Sequence, residues 1–136
     1  MIVLVDTSVW VEFFRDRTRL AKDRLDALVE LIEDRRAATI HAVRVEVLSG
    51  AVSAPKERTI RAAFDALQRI DPDWSAESSW ERLVEVASFA RRHDLPIPGV
   101  VDRMILHASE QAQAVLWTLD EPLRRLARAR GVELIE

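Results

Sequence analysis

The chain has 136 residues, of which 49% are hydrophobic, a net charge of −3 at pH 7 and no cysteine. This composition predicts a single domain over residues 1–136 with one core, and it excludes disulfides and Cys-ligated zinc. No apolar run approaches the roughly 18 residues of a membrane span. The N-terminus has no basic segment of the kind that opens a secretory signal. We therefore expect no membrane association and a cytoplasmic location.

The first half of the chain is predicted to alternate strands with helices. Ile2–Val5 is a continuous apolar run, typical of a strand that is covered on both faces. The elements predicted after it are helices over 9–14 and 20–35, a strand in "AATIHA", a helix in "VRVEVLSG" and a helix over 59–68.

The second half continues the same alternation. It contains a predicted helix over 75–92, a loop in "DLPIPG", a helix over 101–111, an apolar strand in "AVLWTL", a helix over 123–130 and a short strand in "VELI". Strands that alternate with helices favour the α/β class, with a short, mostly parallel central sheet between two helical layers. In such three-layer α/β/α folds, ligands bind beyond the carboxyl ends of the strands.

Four carboxylates stand at positions where the sequence is otherwise apolar. Asp6 and Asp120 each follow an apolar strand, Glu46 lies between two valines of a mostly apolar helix, and Asp102 begins a helix. A buried carboxylate without a partner is costly, so these acids need a compensating group. One divalent cation would compensate all four, and oxygen-only ligands select Mg²⁺ or Mn²⁺.

Each acid also has a simpler explanation. Asp6 and Asp120 could be helix N-caps, Asp102 could be stabilised by the helix dipole, and Glu46 could pair with an arginine. Other chemistries lack their residues, because the chain contains no GxxxxGK, G-x-S-x-G or H-E-x-x-H sequence.

Four segments in this order resemble the signature blocks of PIN-domain ribonucleases, and among them the VapC-type toxins of type II toxin–antitoxin systems. The segments are "VLVDTSVWVEFF", "VEVLSG", "VVDRMILHAS" and "LWTLDEPLRRLA". The resemblance implies that Asp6, Glu46, Asp102 and Asp120 are the catalytic, metal-binding acids, with the hydroxyls of Ser8 and Thr118 in or behind the ligand shell. Arg103, Pro122 and Leu123 depart from the usual pattern of the family.

The resemblance also implies an activity and partners. The expected enzyme is an endoribonuclease that uses Mg²⁺ or Mn²⁺ and leaves 5′-phosphate and 3′-hydroxyl ends. The expected partners are an RNA substrate, a small VapB-like antitoxin that covers the acidic site, and a second copy of the chain in a homodimer. Two alternatives remain open: an RNA-processing nuclease without an antitoxin, and a module that binds RNA or protein without cutting.

Two basic clusters could track an RNA backbone or could simply be solvated helix faces. The first consists of Arg15, Arg17, Arg19, Lys22 and Arg24, and the second of Arg124, Arg125, Arg128 and Arg130. The tryptophans could stack on bases. Trp80 and Trp117 lie in apolar runs, however, so we expect them in the core, and we expect Trp10 to serve packing or an interface.

Overall fold

The structure is a computed structural model that describes residues 1–136, with seven helices and one four-stranded sheet. The strands are β1 (Val3–Val5), β2 (Ala37–Thr39), β3 (Gln68–Arg69) and β4 (Val115–Trp117). The helices are α1 (Thr7–Phe13), α2 (Lys22–Glu33), α3 (His41–Ser49), α4 (Ala54–Asp65), α5 (Glu77–Arg92), α6 (Val100–Ala112) and α7 (Glu121–Ala129).

All strands of the sheet run parallel, in the order β3-β2-β1-β4. Val3 of β1 pairs with Ala37 of β2 on one side and with Val115 of β4 on the other. Every residue of β1, β2 and β4 is buried, as their uniformly apolar or small side chains require. Because β1 and β4 are parallel neighbours, Asp6 and Asp120 emerge at the same edge of the sheet.

Helices cover both faces of this sheet. Crossovers between parallel strands are right-handed, so α1 to α4 lie on one face and α5 and α6, which return from β3 to β4, lie on the other. The packing of α1 on α3, of α3 on α4 and of α5 on α6 agrees with this arrangement. One core cluster of 25 buried residues runs through the sheet and both layers. The predicted α/β class with a parallel central sheet is therefore confirmed.

Several element boundaries differ from the prediction. The helix expected over 59–68 begins instead at Ala54, because Ser53 Oγ accepts a hydrogen bond from the backbone N–H of Lys56 at 3.2 Å and caps its first turn. It ends at Asp65, and Gln68 belongs to the unpredicted strand β3. The expected last strand in "VELI" is reduced to one parallel bridge between Leu134 and Leu116.

The tryptophans divide between core and surface. Trp10 is fully buried and Trp117 is 3% exposed, so both predictions of packing hold. Trp80 is 42% exposed, and its predicted place in the core is wrong. The buried side of α5 is formed by Leu83 and its neighbours one turn apart, and Trp80 lies off that side. None of the helices combines the length and the apolar character needed to cross a membrane.

Candidate acidic site

Asp6 is the buried centre of the site. It follows β1 directly and is 3% exposed. It occupies the N-cap position of α1, yet its side chain makes no capping hydrogen bond. Instead its Oδ2 accepts a hydrogen bond from Ser8 Oγ at 2.7 Å and another from Thr118 Oγ1 at 2.7 Å. The capping explanation for Asp6 is therefore wrong, and the carboxylate is held by hydroxyls from two different elements.

The two hydroxyls are fixed in the donating orientation by backbone amides. Ser8 Oγ accepts a hydrogen bond from the N–H of Leu119 at 3.0 Å, and Thr118 Oγ1 accepts one from the N–H of Asp120 at 3.1 Å. Each hydroxyl hydrogen is then available for Asp6. Both bonds reach Oδ2, and Oδ1 of Asp6 receives no hydrogen bond from the protein. The arrangement leaves that oxygen for a ligand.

Glu46 lies on α3 and is exposed, so the prediction that it turns toward the protein is wrong. Its Oε1 accepts a hydrogen bond from Thr7 Oγ1 at 2.6 Å, and no arginine pairs with it. Thr7 thus links the start of α1 to the acid of α3. The sequence does not link Thr7 to Glu46, because the two residues lie 39 positions apart.

Asp102, in the first turn of α6, and Asp120, before α7, are both half-buried. Burial, followed by the charges of Asp6, Asp120 and Glu46, raises the pKa of Asp102 from 3.8 to about 6. Burial and the charge of Asp6 also raise the pKa of Asp120 above its ordinary value. The four predicted acids therefore share one negative field.

The donor set suits a hard divalent cation, because it consists of carboxylate oxygens with no competing nitrogen or sulfur ligand. Asp102 and Asp120 have raised pKa values because burial and the neighbouring carboxylates both disfavour their ionised forms. In this structure no three Asp, Glu or His side chains are grouped tightly enough to hold one ion. The residues fit such an ion in chemistry and in charge.

A comparison with family models matches the PIN domain over residues 3–129, which is most of the chain. The chain belongs to the PIN domain family. Members of this family are nucleases, and they generally use divalent metal ions. A comparison with curated protein sequences gives no significant match.

Solved structures share the fold of this PIN domain at low sequence identity. DNA-bound VapBC from Salmonella typhimurium has a TM-score of 0.72 at 16% identity and covers 99% of this chain and 97% of that one. VapBC2 from Rickettsia felis, bound to a promoter DNA fragment, has a TM-score of 0.70 at 18% identity and covers 99% and 98%. A toxin–antitoxin complex from Klebsiella pneumoniae has a TM-score of 0.61 at 23% identity and covers 87% and 86%.

The departures of this PIN domain from the usual pattern have structural explanations. Arg103 is partly buried, and its guanidinium donates to the carbonyl of Pro98 at 3.1 Å and to the carbonyl of Leu83 at 3.1 Å. It thereby fastens the start of α6, which carries Asp102, to the preceding loop and to α5. Leu123 is fully buried and belongs to the core.

The second basic cluster of the PIN domain is largely neutralised by acids. Arg124 and Arg128 both pair with Glu136, at 2.7 and 3.2 Å. Arg130, whose side chain is 9% exposed, pairs with Glu110 at 2.6 Å and with Glu85 at 2.9 Å. Arg130 thus serves internal ion pairing, a role that neither of the two explanations left open for this cluster anticipates.

Proposed function

We propose that this PIN domain is a Mg²⁺- or Mn²⁺-dependent endoribonuclease that acts as the toxin of a toxin–antitoxin pair. The observation that carries the proposal is the convergence of Asp6, Glu46, Asp102 and Asp120, where burial and the charges of the other three acids raise the pKa of Asp102 to about 6. Four carboxylates without a compensating cation repel one another and would repel a phosphate. A site of this kind is suited to phosphodiester hydrolysis only with a divalent ion.

The four acids are proposed to hold the ion or ions, each supported by its own neighbours. Asp6 would present Oδ1, because Ser8 and Thr118 occupy Oδ2. Thr7 would orient Glu46, and Arg103 would set the position of α6 and hence of Asp102. A bound Mg²⁺ or Mn²⁺ would polarise the phosphate and activate water for attack. No histidine base is needed, and the expected products carry 5′-phosphate and 3′-hydroxyl ends.

The toxin role and the partners rest on the likeness to the VapBC and toxin–antitoxin structures. We propose that a small VapB-like antitoxin binds the chain and that the chain forms a homodimer. The surface supports an interface, because large apolar side chains next to the acids in sequence are exposed. Val45, beside Glu46, is 60% exposed, and Val100, close to Asp102, is 51% exposed. Exposed apolar patches on a soluble protein mark interaction surfaces.

Cleavage of a structured RNA by the purified protein tests the enzymatic proposal. We expect cleavage with Mn²⁺ or Mg²⁺, none with EDTA, and a loss of at least about 100-fold in Asp6→Asn and Asp102→Asn, since each removes a carboxylate charge on which metal catalysis depends. Asp26→Asn is the matched control, because this exposed acid of α2 pairs only with Lys22.

Cleavage that survives in Asp6→Asn or in EDTA would contradict the catalytic assignment. Mapping of RNA ends after brief induction in cells would identify the substrate and would show whether the products carry 5′-phosphates. Copurification of the tagged chain with the product of a neighbouring small gene tests the antitoxin. Sedimentation of the protein as a monomer at micromolar concentration would contradict the proposed homodimer.

A further inference from the structure

An open groove of about 420 Å³ lies between α1, the segment that follows it, α3 and α4. Glu46 is one of the residues that line it, so the groove leads directly to the acidic site. Its apolar lining includes Phe14 and two exposed side chains, Val11 at 41% and Val52 at 89%. The groove therefore offers solvent-exposed apolar surface next to the proposed reaction centre.

Three cations surround this apolar surface. Arg15, Arg17 and Lys56 line the groove, against the carboxylates of Asp16 and Glu46. With Glu12, which pairs with Arg15, counted among the acids, the charges around the groove balance, and Arg17 is the cation without an ion-pair partner. Apolar surface beside cations is the combination with which proteins bind single-stranded nucleic acid, since bases pack on the apolar surface and phosphates contact the cations.

Two of these cations, Arg17 and Lys56, are available to a ligand. Arg17 has no ion-pair partner, and Lys56 pairs with Asp16, whose side chain is 97% exposed. Arg15 pairs with Glu12 at 2.8 Å, and the same Glu12 carboxylate accepts the N–H of Arg19 at 2.8 Å. Glu12 thereby holds the segment that carries Arg17 against α1. The carboxylate of the Lys56–Asp16 pair is exposed, so that pair contributes little free energy and a phosphate can replace Asp16 at little cost.

We propose that this groove binds the RNA strand on one side of the scissile phosphate. Arg17 contacts a backbone phosphate, and the apolar surface around Val11, Phe14 and Val52 receives a base. The inference rests on the proposed ribonuclease activity and adds the location of substrate binding. An arginine without an ion-pair partner, in a groove that Glu46 of the acidic site also lines, favours an RNA strand over a peptide as the occupant.

Binding is measured in the Asp6→Asn background, which separates binding from cleavage. A fluorescein-labelled single-stranded RNA is titrated at several KCl concentrations in the presence of Mg²⁺. Arg17→Ala should weaken binding about 5- to 10-fold at low salt and reduce the slope of log K against log[KCl] by about 0.7, as expected for the loss of one phosphate contact. Arg125→Ala, which removes an exposed arginine of α7, is the matched control and should change neither value.

A second series fills the groove without changing its charge. Gly50 lines the groove with φ −88°, and an added Cβ would meet only the carbonyls of Glu46 and Val47, at 3.6 and 3.7 Å. A side chain at this position is therefore tolerated by the backbone. RNA affinity should fall progressively from Gly50→Ala to Gly50→Leu to Gly50→Phe, while the circular dichroism spectrum remains unchanged.

Equal affinity and equal salt slope for Arg17→Ala and Arg125→Ala would overturn the groove assignment. The groove assignment would also be overturned if Gly50→Phe altered sedimentation but not RNA affinity. The groove would then be an interface between copies of the chain. The two proposals fail in different ways. A wild-type protein that cleaves RNA while the groove variants bind normally refutes only the groove, whereas a wild-type protein that does not cleave refutes the ribonuclease itself.

Discussion

Asp102→Asn should stabilise the folded protein in the absence of divalent metal. Raising the pKa of Asp102 from 3.8 to about 6 corresponds to about 3 kcal/mol of unfavourable free energy for its ionised form. Solvent screening of a half-buried carboxyl reduces this to about 1–2 kcal/mol. Asparagine removes the charge and keeps the size of the side chain. For a chain of 136 residues the gain corresponds to a Tm increase of about 4–7 °C at pH 7.5.

The stability gain expected for Asp102→Asn depends on pH. Above pH 6 Asp102 is ionised in the folded and the unfolded chain, and the repulsion is present in full. As the pH falls from 6 toward 3.8, the folded chain takes up the proton first, so the wild-type protein recovers stability relative to the variant. Most of the advantage of Asp102→Asn should therefore be lost at pH 4.5.

Thermal unfolding of both proteins in EDTA at pH 7.5 and pH 4.5 measures this difference. Asp26→Asn, on the exposed face of α2, serves as the control for removal of a carboxylate elsewhere. The reasoning is refuted if Asp102→Asn lowers the Tm at pH 7.5, or if its gain is the same at both pH values. Added Mn²⁺ should raise the Tm of the wild-type protein and have a smaller effect on the variant.

Three further predictions concern the supports of the site and of the helices. Thr118→Val leaves the buried Asp6 with one hydroxyl donor fewer and should cost about 1–3 kcal/mol in urea unfolding; a cost below about 0.3 kcal/mol would show that this bond is not important. Arg103→Met should weaken Mn²⁺ binding, measured by calorimetry, while Arg103→Lys recovers part of it, because one of the two carbonyls is still reached; equal Mn²⁺ affinity in all three proteins would contradict the positioning role. Arg130→Met leaves Glu110 partly buried without its cation and should cost about 3–5 kcal/mol at pH 7.5 in urea unfolding, and less at low pH; an unchanged unfolding midpoint would refute it.

The central part of the fold could be predicted from the sequence because its strands are buried on both faces. Ile2–Val5 and "AVLWTL" are uniformly apolar runs, and they correspond to β1 and β4. β3 gives no such signal, since Gln68 and Arg69 are exposed at the edge of the sheet and only their pairing with β2 defines the strand. The "SAPKE" segment does contain a helix start, in Ser53 followed by a proline within the first turn, and the prediction missed it.

That the four acids lie near one another was predictable from the sequence, whereas their hydrogen-bond partners were less so. The positions of Asp6 and Asp120 after parallel strands were enough to bring them to one edge, and the structure places Asp102 in the same field. The burial of Glu46 was overestimated, because successive residues of a helix face different directions. Val47 is buried, whereas Glu46 is exposed. The hydrogen bond that Thr7 donates to Glu46 depends on the packing of α1 against α3, which local sequence does not encode.

The hydroxyl of Thr118 donates a hydrogen bond to Asp6, which lies 112 residues earlier in the chain. Asp6 is synthesised long before Thr118 and Asp120, both of which follow β4 in the chain. A prematurely terminated product that lacks this strand would have an incomplete pocket. The order of the strands along the chain thus makes completion of the acidic site depend on the synthesis of β4.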